Sequence, residues 1–402
     1  MKSIYNSYIN SFKGLSKEVW WLSLITLINR AGTMVIPFLS LYLTRDLGFT
    51  LENVGIIMSC FGLGSLIGAW LGGKLTDVFG SYPVMLASLI LTGILFIILQ
   101  YFESFWSICG GIFVLMIIAD AFRPATFVAL SAYSMPENKT RSVTLIRLAI
   151  NLGFSAGPAL GGLIIGTIGY HGLFWVDGIS CIAAGFLLLV LLNPKKVKIL
   201  DSVENKTPKS AYKDVPYLLF IIAMVLFGFI FVQYFSTIPI YYNDIHKLNE
   251  TQIGLLLAVN GFIIFVFEMP LIKFMETRSQ SKISNMIIGL ALVSLSILIL
   301  NFTSWIGVLA IGMLLMTLGE MIAFPFSNAF AMDRAKRGRQ GEYMALYSIA
   351  FSISHIFAHN SGMLSIVKFG YQTTWYLASF IGLLGILLLL LLKKLLLNNS
   401  RK

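Results

Sequence analysis

The sequence predicts an all-α membrane protein whose twelve transmembrane helices form two six-helix bundles. Three observations lead to this fold class. First, 57% of the 402 residues are hydrophobic and only 12% are charged, whereas about a quarter of the residues in a soluble globular domain are charged. Second, the apolar residues are grouped into runs that are each long enough for a membrane-spanning helix. Third, one long polar stretch divides these runs into two equal sets.

The length of each apolar run determines whether it can cross a membrane. A spanning helix needs about 20 apolar residues, because the hydrocarbon core is about 30 Å thick and each helical residue adds about 1.5 Å. The predicted spans, numbered in chain order, are 19–44, 51–73, 82–101, 105–133, 142–166, 173–192, 217–242, 251–272, 283–302, 304–329, 342–366 and 372–392. The first span is too long for the hydrophobic region of a signal peptide, so we expect it to remain as a membrane helix.

The polar stretch at 193–216 contains six lysines, three acidic residues and three prolines. This composition is typical of a solvated linker. We therefore predict an N-terminal six-helix bundle at 1–192 and a C-terminal six-helix bundle at 217–402, with the linker on the cytoplasmic side.

The basic residues predict the orientation of the chain in the membrane. When the N-terminus is placed in the cytoplasm, only Arg45, Lys247 and Lys368 lie in outer loops, and most of the 29 Lys and Arg lie in inner segments. Since cytoplasmic loops carry the excess of Lys and Arg, both termini are expected in the cytoplasm. The net charge of +11 therefore reflects topology, and no nucleic-acid partner is predicted.

The loop after the second span reads GGKLTDVFGSYPVML at 72–86 and resembles the signature of the major facilitator superfamily. Gly73, Leu75, Asp77 and Gly80 match that signature. In the family this aspartate lies at a cytoplasmic turn and faces the eleventh span, where a carboxylate can cap a helix N-terminus. Residues 81–83 replace the usual basic residues, so we expect part of the charge latch of the outward-open state to be missing.

The fifth span contains NLGFSAGPALGG at 151–162, which resembles the glycine-proline motif of the drug:proton antiporter branch. The matching residues are Gly153, Gly157, Pro158, Gly161 and Gly162. Small residues at this spacing line one helix face, and a membrane helix can bend at its proline. The alternative is tight helix packing without a role in coupling. The segment 317–343 in the tenth span and its following loop also resembles this branch.

The resemblance covers nearly the whole chain and implies the fold of that superfamily. Its two pseudo-symmetric bundles are built of inverted three-helix repeats, with a substrate site at mid-membrane and alternating access. The implied function is a proton-coupled antiporter that exports small lipophilic or zwitterionic molecules. The alternative is a proton-coupled symporter that imports peptides or organic anions. The resemblance also implies a monomer in the bacterial inner membrane whose partners are a small-molecule substrate, protons and the lipid bilayer.

Charged residues within the spans are the strongest candidates for a functional site, because each costs about 2.5–3.5 kcal/mol at mid-bilayer on translocon scales. Arg30, Asp120 and Arg123 lie near the middle of spans 1 and 4. Asp120 and Arg123 are three residues apart and can pair on one helix face. Glu320 in span 10 has no base nearby in sequence. We predict Glu320 and Asp120 as proton-coupling residues, the alternatives being a structural ion pair for Asp120 and a structural hydrogen bond for Glu320.

In the family, spans 1, 4, 7 and 10 line the central cavity, and second-tier spans add further polar groups. The predicted cavity residues are Arg30, Arg123, Asn151, Gln233, Tyr234, Asn260, Glu268, His355 and His359. Glu268 is expected to reach interfacial water near a helix end, and Asp177 is interpreted in the same way. These two acids are therefore weaker candidates than Glu320.

Neither a cofactor nor a metal site is predicted. The segment from Gly68 to Lys74 spells G-x-x-x-x-G-K, but Leu75 follows where a phosphate loop needs Ser or Thr, and no strand precedes it. His355 and His359 lack carboxylates on their span, and the three cysteines lack metal-ligand spacing. We find no nucleophile–base pair of an enzyme and no selectivity filter of a channel.

Overall fold

The structure is a computed structural model that describes residues 12–32, 34–192, 194, 210–248, 250–278, 280–303, 305–336 and 339–400. Within these ranges the regular secondary structure is helical and no strand is present. The predicted linker at 193–216 lies outside the described residues except for Pro194 and its last seven positions. A short 3₁₀ helix at Ala211–Lys213 precedes the second half of the chain.

The first half of the chain forms eight α-helices within the described ranges. They are α1 (Lys17–Ala31), α2 (Val35–Leu41), α3 (Leu51–Phe79), α4 (Ser81–Leu99), α5 (Phe105–Asp120), α6 (Phe122–Tyr133), α7 (Lys139–Ile168) and α8 (Tyr170–Leu191). A π-helical turn at Tyr42–Asp46 follows α2. The first predicted span is therefore broken between α1 and α2, and the fourth is broken at Ala121 between α5 and α6.

The second half forms five helices within the described ranges. They are α9 (Val215–Asp244), α10 (Glu250–Thr277), α11 (Lys282–Leu298), α12 (Gly307–Ala335) and α13 (Gln340–Ser400). The eleventh and twelfth predicted spans are joined in α13, which is kinked at Gly370. Each of the twelve predicted spans thus coincides with helical structure, which confirms the predicted fold class.

Single glycines connect helices at two turns and mark the kink in α13. Gly80 separates α3 from α4 at φ 85°, and Gly169 separates α7 from α8 at φ 84°. Gly370 has φ 77° at the kink. This left-handed region is open to glycine but costly for residues with a Cβ. The positive φ of Gly80 therefore confirms the predicted tight turn at this residue.

Eight helical segments within the described residues are long and apolar enough to cross a membrane. The helices outside this group include α7 and α10, which carry Asn151 and Glu268.

The chain divides into two compact units. The N-terminal unit comprises 14–208 together with 335–349, and the C-terminal unit comprises 209–334 together with 350–402 and the first thirteen residues. The segment 335–349, which includes the start of α13, thus packs with the N-terminal unit although it lies in the predicted C-terminal bundle. The predicted bundle boundaries remain a prediction.

A stripe of glycines on α3 determines how the N-terminal unit packs. Gly64, Gly68 and Gly72 recur every four residues, so they share one face of the helix. A Cβ on Gly64 would lie 2.5 Å from the carbonyl oxygen of Phe113, and one on Gly68 would lie 2.5 Å from that of Ile117. The absence of side chains therefore allows α3 to lie directly against the backbone of α5.

Aromatic side chains fill the interior of the C-terminal unit. The ring of Phe324 on α12 lies 5.0 Å from those of Phe227 and Phe231 on α9, and 5.2 Å from that of Phe351 on α13. Rings at these separations are in direct packing contact. This aromatic cluster packs α9, α12 and α13 against one another.

Candidate functional site

The break in the fourth span positions a buried acid in the N-terminal unit. Asp120 is the last residue of α5, and Arg123 lies in the first turn of α6. The Asp120 side chain is 9% exposed and accepts a hydrogen bond from the hydroxyl of Ser65 on α3. The alternative interpretation of Asp120, a structural ion pair with Arg123, is not supported, because no salt bridge joins the two residues in the described part of the chain.

Arg30 completes this cluster from the last turn of α1. It interacts electrostatically with Arg123 and Asp120, and also with the thiol of Cys181 on α8. Arg30 is therefore within electrostatic range of one predicted proton-coupling acid and of a second predicted cavity arginine. We call Arg30, Ser65, Asp120 and Arg123 the N-terminal polar cluster.

The glycine-proline motif of α7 packs against the broken first span. A Cβ on Gly153 would lie 2.6 Å from Cβ of Arg30 and 2.9 Å from the amide nitrogen of Ala31, so only glycine fits without displacing the backbone at Arg30. Gly161 has the same relation to Phe38, whose ring would lie 2.7 Å from an added Cβ. The motif thus supports close packing of α7 on both α1 and α2, and its coupling role remains a prediction.

The other members of this motif give less information. Gly157 is buried within α7. Pro158 and Gly162 also lie in α7, but their surroundings are outside the described residues. Asn151, one of the predicted cavity residues, is half-buried on the same helix.

Asp177 on α8 caps the second segment of the first span, a role that the sequence analysis missed. Its carboxylate oxygens accept hydrogen bonds from the backbone amides of Met34 at 2.9 Å and Val35 at 2.8 Å. Its side chain is completely buried. The expectation that Asp177 reaches interfacial water is therefore wrong. The break between α1 and α2 leaves the amides at the start of α2 without helical acceptors, and the carboxylate of Asp177 accepts their hydrogen bonds.

Asp77 caps the start of α13 within the N-terminal unit. Its carboxylate accepts hydrogen bonds from the amides of Gly341 at 2.6 Å and Glu342 at 2.9 Å. Gly73 lies one turn earlier on α3, and a Cβ there would lie 2.5 Å from the carbonyl oxygen of Gly341. The predicted capping geometry is thus present. The contact also depends on glycine at position 341, which the sequence analysis did not single out.

The C-terminal unit holds a second buried acid. Glu320 on α12 is 6% exposed and accepts a hydrogen bond from the side-chain amide of Asn260 on α10 at 3.4 Å. The same amide donates to the hydroxyl of Thr317 at 2.9 Å. We call Asn260, Thr317 and Glu320 the C-terminal polar cluster. Its acid and its amide were both predicted, whereas Thr317 was not.

Gln233 and Tyr234 on α9 bind the backbone of neighbouring helices in the C-terminal unit. The Gln233 amide donates to the carbonyl of Ala358 at 3.1 Å, and the Tyr234 hydroxyl donates to the carbonyl of Gly312 at 3.2 Å. Both side chains are at most 1% exposed. These contacts join α9 to α13 and α12, and a cavity role for either residue remains a prediction.

The remaining predicted residues are not gathered at these clusters. Glu268 on α10 is completely buried, so the expectation that it reaches interfacial water is wrong. His355 is exposed on α13, and the side chain of His359 is outside the described residues. No group of three His, Cys, Asp or Glu among the described residues could hold a metal ion.

Multiple membrane-spanning helices that hold buried acids and bases are typical of membrane transport proteins. The sequence model of the Major Facilitator Superfamily matches residues 22–359, and the chain belongs to this family. It is therefore a multi-pass membrane transporter of small molecules and not an enzyme.

Relatives of this chain include several bacterial transporters. The chain is 26% identical over 356 residues to the uncharacterized MFS-type transporter YqjV of Bacillus subtilis (strain 168), covering 86% of this chain and 85% of YqjV. It is 23% identical over 365 residues to the Na(+), Li(+), K(+)/H(+) antiporter of Planococcus maritimus, covering 82% and 85%. It is 25% identical over 264 residues to the quinolone resistance protein NorA of Staphylococcus aureus (strain MRSA252), covering 61% and 64%.

Solved structures agree with this fold. A bacterial homologue of the iron transporter ferroportin in its outward-facing state has a TM-score of 0.76 with 18% identity, covering 94% of this chain and 99% of that chain. The human organic anion transporter MFSD10 (TETRAN) has a TM-score of 0.71 with 15% identity, covering 93% and 99%.

Proposed function

We propose that this transporter is a proton-coupled antiporter that exports small lipophilic or zwitterionic molecules by alternating access. The observation that carries this proposal is the buried carboxylate of Glu320, which lies within a membrane helix and is hydrogen-bonded to an amide on another helix. An acid kept at such a position is a functional candidate, because placing it there is costly. The cation/H(+) antiporter and the drug resistance protein among the relatives support the antiport direction.

A proton on Glu320 changes the chemistry of the C-terminal polar cluster. The ionised carboxylate only accepts hydrogen bonds, whereas the protonated acid also donates one. The amide of Asn260 can meet either form, because it carries both a donor and an acceptor. Proton loading would therefore exchange one hydrogen-bonding arrangement between α10 and α12 for another without leaving an unpaired charge.

A proton on Asp120 has a different consequence in the N-terminal polar cluster. Neutralising Asp120 leaves the positive charges of Arg30 and Arg123 to attract a carboxylate or another anionic group of a substrate. Guanidinium groups suit such groups because they bind carboxylates in a bidentate manner. That step favours binding of the proton and the substrate together, as a symporter needs. Antiport requires instead that the cationic group of a zwitterionic substrate and a proton compete for the carboxylate of Asp120.

The membrane potential is large enough to drive this exchange. Each proton that moves down a potential of 100 mV supplies about 2.3 kcal/mol. The proposed orientation places both termini in the cytoplasm, following the positive-inside rule. The proposed location is the bacterial inner membrane, with the chain acting as a monomer.

A second candidate function is supported by the same pair of arginines. A symporter that imports peptides or organic anions would use Arg30 and Arg123 to bind the substrate carboxylate while Asp120 carries the proton. The two functions differ in the direction of the substrate relative to the proton.

The test is flux driven by a pH gradient in proteoliposomes, with lipophilic cations, zwitterions and small peptides as substrates. Wild type would be compared with Glu320→Gln, Asp120→Asn and the matched control Glu137→Gln, since Glu137 is an exposed acid. We expect substrate to move against the proton flow, and this movement to fall at least tenfold in one of the two buried-acid variants.

The other outcomes are equally informative. Substrate movement in the direction of the protons would replace the antiporter with the symporter. Equal flux with and without the gradient in all four proteins would refute proton coupling through Glu320 and Asp120.

A further inference from the structure

A cavity of about 350 Å³ lies at the end of the C-terminal unit where α9 ends, α11 ends and the second part of α13 begins. Pockets for small molecules have volumes of about 300–1,000 Å³, so the cavity is large enough for a small organic ligand. Its lining includes Tyr241, Asn301, Phe302, Tyr371 and Trp375. Neither polar cluster contributes a residue to it.

The side chains of Tyr241, Tyr371 and Trp375 pack against one another and form one side of the cavity, which we call the aromatic wall. The ring of Tyr241 lies 5.2 Å from that of Tyr371 and 5.5 Å from that of Trp375, and the last two rings lie 6.0 Å apart. The Tyr241 hydroxyl lies 3.4 Å from the carbonyl oxygen of Leu300. The wall therefore also contacts the 3₁₀ turn at Ile299–Asn301 that follows α11. The faces of such electron-rich rings attract organic cations.

The carboxylate of Asp244 lies next to the aromatic wall. The hydroxyl of Tyr371 donates a hydrogen bond of 2.6 Å to Asp244, the last residue of α9. Two exposed lysines, Lys247 and Lys368, lie near this end of the unit, but neither forms an ion pair with Asp244 among the described residues. The negative charge of Asp244 is thus available to a cationic ligand.

The neighbouring histidine does not compete with such a ligand. Nε2 of His246 lies 3.3 Å from the hydroxyl of Tyr241. Partial burial lowers the pKa of His246 below its ordinary value, which favours the neutral imidazole. Asp244 is therefore the charged group in direct contact with the aromatic wall, through the hydroxyl of Tyr371.

A buried donor belongs to the same wall. The indole N–H of Trp375 has no hydrogen-bond acceptor among the described residues, although the side chain is only 1% exposed. Buried donors are normally satisfied by the protein, by water or by a ligand. A ligand that carries a hydroxyl beside its cationic group could satisfy this donor.

From these contacts we propose that the cavity binds a small organic ammonium ion, which packs against Tyr241 and Tyr371 with Asp244 as its counter-ion. An inorganic divalent cation fits less well, because such ions need several oxygen ligands at close range. An anion is disfavoured by Asp244. In the proposed orientation this end of the unit faces outside.

The cavity is far from the C-terminal polar cluster. Tyr234 binds Gly312, Tyr241 lies about two turns from Tyr234 toward one end, and Glu320 lies about two turns from Gly312 toward the other. Four turns correspond to a separation of about 20 Å along the helix axes. The proposed site therefore does not depend on the direction of transport or on the role of Glu320.

The experiment is a calorimetric titration of the full chain in detergent with choline and with 3,3-dimethyl-1-butanol. These two probes have the same shape, but only choline is charged. We expect choline to bind at least tenfold more tightly than the neutral alcohol. Equal affinity for the two probes, or no binding of choline, would overturn the proposal.

Variants assign the binding to this cavity. Asp244→Asn and Tyr371→Leu should each weaken choline binding about tenfold, whereas Tyr371→Phe keeps the ring and should remain within about threefold of wild type. Asp46→Asn is the matched control, since Asp46 is an exposed acid in the N-terminal unit, and it should have no effect.

Two outcomes distinguish this site from others. Choline binding that survives in both Asp244→Asn and Tyr371→Leu would refute the assignment. Loss of choline binding in Glu320→Gln would move the site to the C-terminal polar cluster. Circular dichroism and gel filtration identify any variant that fails to fold, and the comparison of the two probes on wild type remains decisive in that case.

Discussion

The two compact units hold their buried acids among different partners. In the N-terminal unit, Asp120 accepts a hydrogen bond from Ser65 and lies within electrostatic range of the guanidinium group of Arg30. In the C-terminal unit, Glu320 accepts a hydrogen bond from the amide of Asn260. One acid therefore balances positive charge, whereas the other belongs to a hydrogen-bonded set that contains an amide and a hydroxyl.

This difference shows that the same kind of residue can make different contributions to stability and to proton transfer. Removing one charge from a buried ionic group leaves its partners uncompensated, which is strongly destabilising. Replacing an acid by its amide within a hydrogen-bonded set can preserve the hydrogen bonds and change only the ability to titrate. The N-terminal acid is thus expected to matter more for folding than the C-terminal acid.

The largest expected effect is on Asp120. Asp120→Asn should lower the free energy of unfolding by about 3 kcal/mol, because it leaves the buried charge of Arg30 without the opposite charge of Asp120. Glu320→Gln should lower it by less than about 1 kcal/mol. Denaturant-induced unfolding in detergent micelles measures both. Adding Arg30→Gln to Asp120→Asn should restore part of the loss. Equal losses for the two acids would remove the distinction between the units.

A somewhat smaller effect is expected at the second buried acid of the N-terminal unit. Asp177→Ala should lower the free energy of unfolding by about 2–3 kcal/mol, since it leaves the amides of Met34 and Val35 without their acceptor. Asp177→Asn should cost less, because its one carbonyl oxygen can still accept a hydrogen bond. Hydrogen exchange at the two amides should accelerate in both variants. Unchanged exchange would show that the cap does not hold the break in the first span.

The smallest effect is expected at Tyr234. Tyr234→Phe removes the hydroxyl that donates to Gly312 and should lower the free energy of unfolding by about 1 kcal/mol. Flux in the proteoliposome assay should stay within about twofold of wild type, because this side chain is completely buried. A tenfold loss of flux without a loss of stability would instead support the predicted cavity role of Tyr234.

Much of the candidate site could be predicted because charged and amide side chains are rare within apolar runs and are easily recognised there. Glu320, Asp120, Arg30 and Asn260 stand out in this way, and the structure places them in two polar clusters. Asp77 could be assigned to a helix cap because its motif implies the partner span. Glu268 and Asp177 were misjudged, because distance from a span end says little about burial when neighbouring helices cover that end.

Other features had no comparable signal. Ser65 and Thr317 are ordinary residues in membrane helices, and only their contacts with Asp120 and Asn260 give them importance. The break at Ala121 lies between Asp120 and Arg123, but mean hydropathy over the fourth span does not register it, because the span remains apolar overall. Mean hydropathy over a span indicates whether the segment favours lipid or water. It does not detect a local change in backbone direction.

The sequence by itself determined the class of protein, the number of spans and the location of the charged residues along each span. These properties follow from how each segment partitions between water and lipid, which depends on local composition. Tertiary structure alone decided that Arg30 reaches Asp120, that Asp177 caps α2, and that Tyr241, Tyr371 and Trp375 form one wall. Such contacts join residues far apart in the chain, and they depend on the close approach of helices rather than on the hydrophobicity of any one of them.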